Sequence, residues 1–382
     1  MKHLVSIADM RERARRRLPR SVFSFIDGGS EDELTLARNR RAFEEIELWP
    51  RVLTDVSAPD TATTLTGSQL ATPFVIAPMG SCALGQPGAD FMLAKAAADI
   101  GAIYTLSTMS TAAMEDIAVY TAAPKWFQLY VLKDHDFNLR LVRKAQALGY
   151  SALVVTVDLQ AGGKREKDLK HGVSVPPRPS LQLLMDGITH PGWSLRMLRS
   201  GMPQFANVKG ALGDESAGIT IAARVGQNLD AAFTWDGLRR LREAWAGPLW
   251  LKGVLHPEDA KMALSEGVNG LWVSNHGGRQ LDGAVASAIA LPLVRQAVGP
   301  EAPIILDSGV RRGVDALKAR TLGANAVAIG RAALWGACAG GQAGANRSLE
   351  ILHSELLLAM QLAGVPNWNQ LQAIPAPGGD VG

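Results

Sequence analysis

Cysteine is scarce in this chain: Cys82 and Cys338 are the only two among 382 residues. Two thiols cannot build a disulfide scaffold, and they fit a reducing compartment. No Cys-x-x-Cys pair and no His-Glu-x-x-His occurs, so neither a structural nor a hydrolytic zinc site is expected and no metal is called for. An excess of one charge is also missing. Lys and Arg number 39 against 36 Asp and Glu, a net charge of +3, which argues against a dedicated nucleic-acid binder. No stretch of about 20 apolar residues exists to span a bilayer. The N-terminal MKHLVSIADMRERARRRLPR lacks the uncharged apolar segment of a secretory signal, so a cytoplasmic location is expected. Two nucleotide signatures are absent, the P-loop Gly-x-x-x-x-Gly-Lys-[Ser/Thr] and a strand–Gly-x-Gly-x-x-Gly–helix unit; neither a nucleotide triphosphatase nor a Rossmann nicotinamide site is supported.

What is there is ample core material, 47% hydrophobic residues with 20% charged, arranged in a repeated alternation. Short β-branched or aromatic runs are each followed by a helical stretch. The runs are PFVIAP (73–78), AIYTLS (102–107), WFQLY (126–130), ALVVTVD (152–158), PLWLK (248–252), GLWVS (270–274), PIILD (303–307) and AVAI (326–329). Helix signals lie between them: DFNLRLVRKAQAL spaces Leu139, Val142, Ala145 and Leu148 helically, and PEDAKMALSEG opens on Pro257 and stops at Gly267. Eight such units predict a (β/α)8 TIM barrel, with a doubly wound open sheet as the alternative. A barrel needs about 250 residues. The surplus forms an N-terminal helical extension (1–72) and a long insertion after the fourth strand (159–247). The reading is one domain over 1–372, with a flexible tail at 373–382.

In such barrels the chemistry sits at the C-terminal ends of the strands, and here those ends are polar. Gln128 and Tyr130 end the third run, Thr156 and Asp158 the fourth, and Lys252 the fifth. Ser274-Asn275-His276 ends the sixth, followed by Gly277, Gly278 and Arg279. Asp307 ends the seventh, and Gly330-Arg331 the eighth. His276 is the candidate base, because imidazole is the commonest general base near neutral pH and glycines let backbone approach a ligand. DSGVRRG (307–313) and Gly330-Arg331 occupy the usual phosphate position of this fold, with Arg311 and Arg331 able to add charge-assisted bonds.

These residues carry a resemblance. SNHGGRQLDG (274–283), DSGVRRG with the downstream ALKARTLGANAVAIGR, APMG (77–80), LST (106–108), WFQLYVLKD (126–134) and TVD…GKRE (156–166) closely resemble the FMN-dependent L-2-hydroxy acid dehydrogenase/oxidase family. The resemblance runs from Leu4 to about Leu371, and its pattern is most similar to the bacterial quinone-linked L-lactate dehydrogenases. It implies FMN as cofactor, a small 2-hydroxy acid as substrate, and homo-oligomerisation. It further implies that His276 accepts the proton when the substrate C2–H bond breaks, with Asp158 stabilising the imidazolium. Arg165 and Arg279 would hold the substrate carboxylate, and Tyr130 would bind near the substrate hydroxyl. Lys252 would lie by the flavin N1/O2 edge, where negative charge appears on reduction. Pro78, Met79, Gly80, Ser107, Gln128, Thr156 and Ser274 would line the isoalloxazine and ribityl chain. Asp307, Gly309, Arg311, Gly330 and Arg331 would hold the ribityl and phosphate.

The chain departs from the family pattern in the N-terminal segment VFSFIDGG, where Phe25 stands in place of a tyrosine. That removes one contact to the substrate carboxylate, a loss of about 1.5–3 kcal/mol, or is tolerated because Arg165 and Arg279 suffice. Met109 faces the region that sets side-chain preference in relatives, and its flexible apolar side chain allows an aryl or alkyl substrate. The electron acceptor is open among quinone, oxygen and a soluble carrier. One alternative is an oxygen-using oxidase of a bulkier aryl or alkyl acid; another is a different flavin barrel enzyme. Within the insertion, 176–213 combines Arg178, Arg196, Arg199 and Lys209 with a run of Leu, Met and Trp side chains, against Asp186 alone. That composition suits a lid or an oligomer contact, or peripheral contact with the inner face of an anionic cell membrane.

Overall fold

A computed structural model describes residues 1, 3–170, 181–201, 203–208 and 227–371. The eight apolar runs become eight parallel strands: β3 (Phe74–Ile76), β4 (Ile103–Ser107), β5 (Lys125–Tyr130), β6 (Ala152–Thr156), β7 (Leu249–Val254), β8 (Gly270–Val273), β9 (Ile304–Leu306) and β10 (Ala326–Ile329). They pair in chain order, and the register Val327↔Phe74, Ala328↔Val75 and Ile329↔Ile76 joins the last strand to the first. Closure decides for the (β/α)8 barrel over the open sheet. Two short antiparallel strands, β1 (Thr63–Leu65) and β2 (Ser68–Leu70), precede it.

Side chains two apart on a strand share a face, and along the inner face polarity rises toward the C-terminal end. Trp126, Val154, Trp250, Trp272 and Ile305 form an inner core with Leu65 and Leu70 of the β1–β2 hairpin, which plugs that end. The Trp126 and Trp250 rings stack at 5.1 Å. One step up each strand stand Gln128, Thr156, Lys252, Ser274 and Asp307, all buried. The same alternation thus builds an apolar plug below and a polar floor above.

The N-terminal extension supplies helices Ile7–Arg17, Arg20–Asp27 and Leu34–Glu45. The first opens on a capping box between Ser6 and Asp9 and carries Arg15, Arg16 and Arg17 in its last turn, the arrangement that helix ends favour. It packs along the C-terminal helix Arg331–Ala363, which kinks at Gly340 and Gly341. Segment 159–247 contains helices Glu166–Lys170, Leu181–Thr189 and Pro191–Ser200, then Trp235–Ala244, which leads into β7. Helix Pro191–Ser200 lies on the barrel: Trp193 is buried and its Nε1–H donates to Leu84 O at 2.8 Å. Residues 176–180, 202 and 209–213 of the basic apolar stretch, and the 373–382 tail, lie outside the described residues.

Candidate active site

His276 follows β8 in the left-handed region, φ 59°, and Gly277 and Gly278 continue it at 67° and 73°. Gly278 is required there: a Cβ would lie 2.6 Å from Leu36 N. The tight loop aims the imidazole across the barrel mouth. Its Nδ1–H donates to Asp158 Oδ1 at 3.0 Å, and the Tyr130 hydroxyl donates to Nε2 at 3.2 Å. Burial pushes the His276 pKa below its ordinary value, only partly opposed by the Asp158 charge, while Lys252 pushes it down further. Burial pushes Asp158 up, but the charges of His276 and Lys252 outweigh it and hold the carboxyl below its usual range. Burial keeps the Tyr130 phenol protonated. Near neutral pH the triad is therefore a carboxylate, a neutral imidazole with its free electron pair on Nε2, and a phenol donor, the state a general base needs.

Cations crowd beside this base. Arg279 lies over the Phe25 ring at 5.3 Å, and its Nη1 donates to Phe25 O at 2.7 Å and Gly28 O at 3.1 Å. Burial, then repulsion from Arg165 and Arg331, holds its pKa well below the usual guanidinium range. Arg165 is fixed by Asp168 at 3.0 Å. Two guanidiniums beside a neutral base form a receptor for a carboxylate.

The floor is a chain of polar contacts. Ser107 donates to Gln128 Oε1 at 2.9 Å, and Gln128 Nε2 donates to Thr156 Oγ1 at 3.0 Å. Lys252 Nζ donates to Ser274 Oγ at 2.9 Å and stands 3.5 Å from Asp307. Above the floor opens a cavity of about 300 Å³, bordered by Pro78, Met79 and Gly80 on one side and by Lys252, Asp307, Arg311, Gly330 and Arg331 on the other. Phe25, Met109, Tyr130, Arg165, His276 and Arg279 also line it. Ser107, Gln128, Thr156 and Ser274 support the floor from below, Asp158 stands behind His276, and Gly309, at φ 112°, turns the loop after β9.

The donor set fits FMN. Arg311 and Arg331 are half-buried, and among the described residues neither has a carboxylate within 4.0 Å. Burial, then repulsion from Arg331 and Arg40, lowers the Arg311 pKa to about 9. Such a pair calls for an anion such as phosphate. Gly330 opens helix Arg331–Ala363 with no side-chain cap, leaving backbone N–H groups for the same anion. Lys252 stands as a buried cation at the floor, and the Pro78–Gly80 wall suits a flat ring system. A bound FMN would be held at its phosphate end by Arg311 and Arg331 and along its ring by these residues.

Several contributors escaped the sequence. Phe205, Leu159 and Leu229 complete the cavity wall, but they sit in an insertion without motif or period. Gln280 lies within the recognised SNHGGRQ string, yet nothing there foretold that its amide binds Asp158 O and Ala161 O, both at 3.0 Å, and accepts Gly163 N–H. Ser308 Oγ accepts Gly277 N–H at 3.0 Å, tying the loops after β8 and β9.

The closed barrel, the arginines after β9 and β10 and the imidazole at the cavity are those of an FMN-dependent oxidoreductase of 2-hydroxy acids. The chain belongs to the FMN-dependent dehydrogenase family, which it matches over residues 14–374. An L-lactate dehydrogenase of Caulobacter vibrioides is 42% identical over 94% of both chains, and one of Haemophilus influenzae is 41% identical over the same shares. Among solved structures, the monotopic membrane protein (S)-mandelate dehydrogenase superposes with a TM-score of 0.91 at 37% identity, covering 97% of this chain and 98% of its own. Mandelate oxidase with (S)-4-hydroxymandelic acid gives 0.84 at 36% identity, covering 96% and 97%.

Proposed function

We propose that the chain oxidises an (S)-2-hydroxy acid to the 2-oxo acid, with lactate-like acids as the reference substrates. The observation that carries this is the placement of His276 between Asp158 and Tyr130, with Arg165 and Arg279 lining the same cavity. The guanidiniums seat the substrate carboxylate. His276 Nε2 accepts the proton released as the C2–H bond breaks, and the Asp158 carboxylate stabilises the imidazolium that forms. Tyr130 donates its hydroxyl hydrogen bond near the substrate oxygen and holds the imidazole in plane. Bound FMN supplies the two-electron sink. Lys252 places a fixed positive charge at the floor, where charge develops on reduction.

A second reading concerns the side chain of the substrate. Phe25, Met109, Leu159, Phe205 and Leu229 give the cavity an apolar wall, which favours an aryl or alkyl group over the methyl of lactate. An anaerobic screen with L-lactate, glycolate, (S)-mandelate and long-chain acids, scored by flavin bleaching, separates the two. Bleaching by D-isomers alone contradicts the stereochemical reading. The same screen on Phe25→Tyr is expected to tighten small acids by about 10–100-fold, one hydrogen bond to a charged group. An unchanged Kd shows that Arg165 and Arg279 already suffice.

Quinone is the proposed acceptor and the cell membrane's inner face the proposed location. Among the described residues no helix is long and apolar enough to cross a membrane. Met185, Ile188, Leu195 and Leu198 nevertheless project from helices Leu181–Thr189 and Pro191–Ser200, close to the exposed Arg199. That pairing supports peripheral contact with an anionic surface. Leu195→Ser with Leu198→Ser is expected to release the protein from anionic liposomes; unchanged binding returns the segment to a lid or an oligomer contact and reopens oxygen and soluble carriers. Self-association, implied by the family resemblance, is read by sedimentation.

A further inference from the structure

Helix Leu34–Glu45 lies far from the reactive residues in sequence yet touches both loops that build the site. Asn39 and Asn275 are buried and form a reciprocal amide pair: Asn39 Nδ2 donates to Asn275 Oδ1 at 2.8 Å, and Asn275 Nδ2 donates to Asn39 Oδ1 at 2.7 Å. Asn275 immediately precedes His276, whose left-handed backbone costs energy for a residue with a side chain and persists only where the surroundings enforce it. The backbone of Asn39 faces the other loop: a Cβ on Gly309 would lie 2.4 Å from Asn39 O, and Arg40 Nη1 donates to Gly309 O.

We infer that Asn39 is a positioning residue for His276, fixing through Asn275 the left-handed loop that aims the imidazole. The inference rests on the reading of His276 as proton acceptor. A purely structural role is poorly matched to the contacts. The helix is anchored independently of the Asn39 side chain: Asp282 accepts Leu34 N–H and Thr35 N–H, Arg40 pairs with Asp315 at 2.9 Å, and Lys318 Nζ donates to Phe43 O. Asn275 also keeps one partner for each amide atom without Asn39, accepting Gly278 N–H at 3.1 Å and donating to Val285 O at 3.0 Å. Removing the Asn39 amide therefore leaves the helix anchored and the loop still formed, but takes from the buried Asn275 amide one of the two partners at each atom, so the residue before His276 gains freedom to shift and the imidazole loses its aim.

The test is anaerobic stopped-flow reduction of the FMN-loaded enzyme, resolving the limiting reduction rate from substrate Kd. Asn39→Leu keeps the approximate shape and deletes both bonds; its limiting rate is expected to fall about 10–100-fold, with substrate Kd and flavin content unchanged. Asn39→Asp keeps the acceptor for Asn275 and is expected to fall by about 3–10-fold, and it decides the question if Asn39→Leu yields no flavin-bearing protein. Rates within about twofold of the parent in the deciding variant overturn the inference, as does a loss of rate that travels with loss of flavin or of substrate affinity. His276→Gln, run alongside, keeps the two readings apart. If it abolishes reduction while Asn39 variants are silent, only the positioning role falls. If it leaves reduction intact, the base assignment falls.

Discussion

Asp158→Asn removes one charge from the centre of the site and almost no volume. The carboxylate lies 3.0 Å from His276 Nδ1, and the two side chains are only 13% and 17% exposed, so solvent screens the pair little. When His276 takes up the substrate proton, its imidazolium meets Asp158 through a charge-assisted hydrogen bond. Such a bond contributes about 1.5–3 kcal/mol, and losing it slows the step by about 10–150-fold. An amide that presents its N–H₂ to Nδ1 adds to this by moving the imidazole proton to Nε2, which then cannot accept. The assay is single-turnover bleaching of the flavin at saturating substrate, followed from about pH 5 to 9. The profile carries its own check on sign. The rate rises with pH as His276 loses its proton, and the Asp158 charge raises that pKa against burial. Without the charge the acid limb moves to lower pH while the plateau falls. A plateau within about threefold of the parent, or an acid limb that stays put, refutes the coupling.

Other perturbations read different parts of the molecule. Arg311→Met is expected to weaken FMN binding by about 10–150-fold, one charge-assisted bond to phosphate; titration of apoprotein by flavin fluorescence checks it. Because the folded His276 pKa lies below the ordinary 6.5, its contribution to stability is complete above that pH. It is lost as pH falls through 6.5 toward the folded value, at no more than about 1.4 kcal/mol per pH unit. Urea unfolding of the apoprotein at successive pH values measures the slope, and stability that rises on acidification over this window contradicts the burial of a neutral imidazole. Trp193→Ala strips a buried indole and its bond to Leu84 O and is expected to cost about 3–5 kcal/mol, read as a lower denaturation midpoint.

The barrel was legible because parallel strands buried on both faces read as short apolar runs. Their edges were less so. PFVIAP and PIILD each open on a proline that cannot donate to a ladder, and the strands they contain are only Phe74–Ile76 and Ile304–Leu306. The segment 159–247 read as insertion also includes Trp235–Ala244, the crossover helix that leads into β7; a helical period does not reveal which helix returns to the sheet. Polar residues at strand ends marked the reactive rim, since period-two alternation puts them on the inner face above Trp126, Trp250 and Trp272. Contacts made by side chains onto distant backbone were invisible. Nothing local to Arg279 announces that it rests on Phe25 O and Gly28 O, and nothing in LARNRRAF announces that Asn39 meets Asn275. Phe205 and Leu229 reached the cavity wall from a segment whose composition fits several roles equally.

The helix bearing Asn39 and Arg40 has a bearing on biogenesis. Its bonds to Asn275 and Asp315 bridge sequence separations of 236 and 275 residues. On the ribosome this segment emerges well before its partners, which appear only after a further 236 and 275 residues have been added. Contacts of that span are slow to close, so catalytic competence comes after the barrel strands have formed, installed when this early helix finds its distant partners. A nascent product stopped before β9 has the imidazole but not the arginine loop that the helix must also grip.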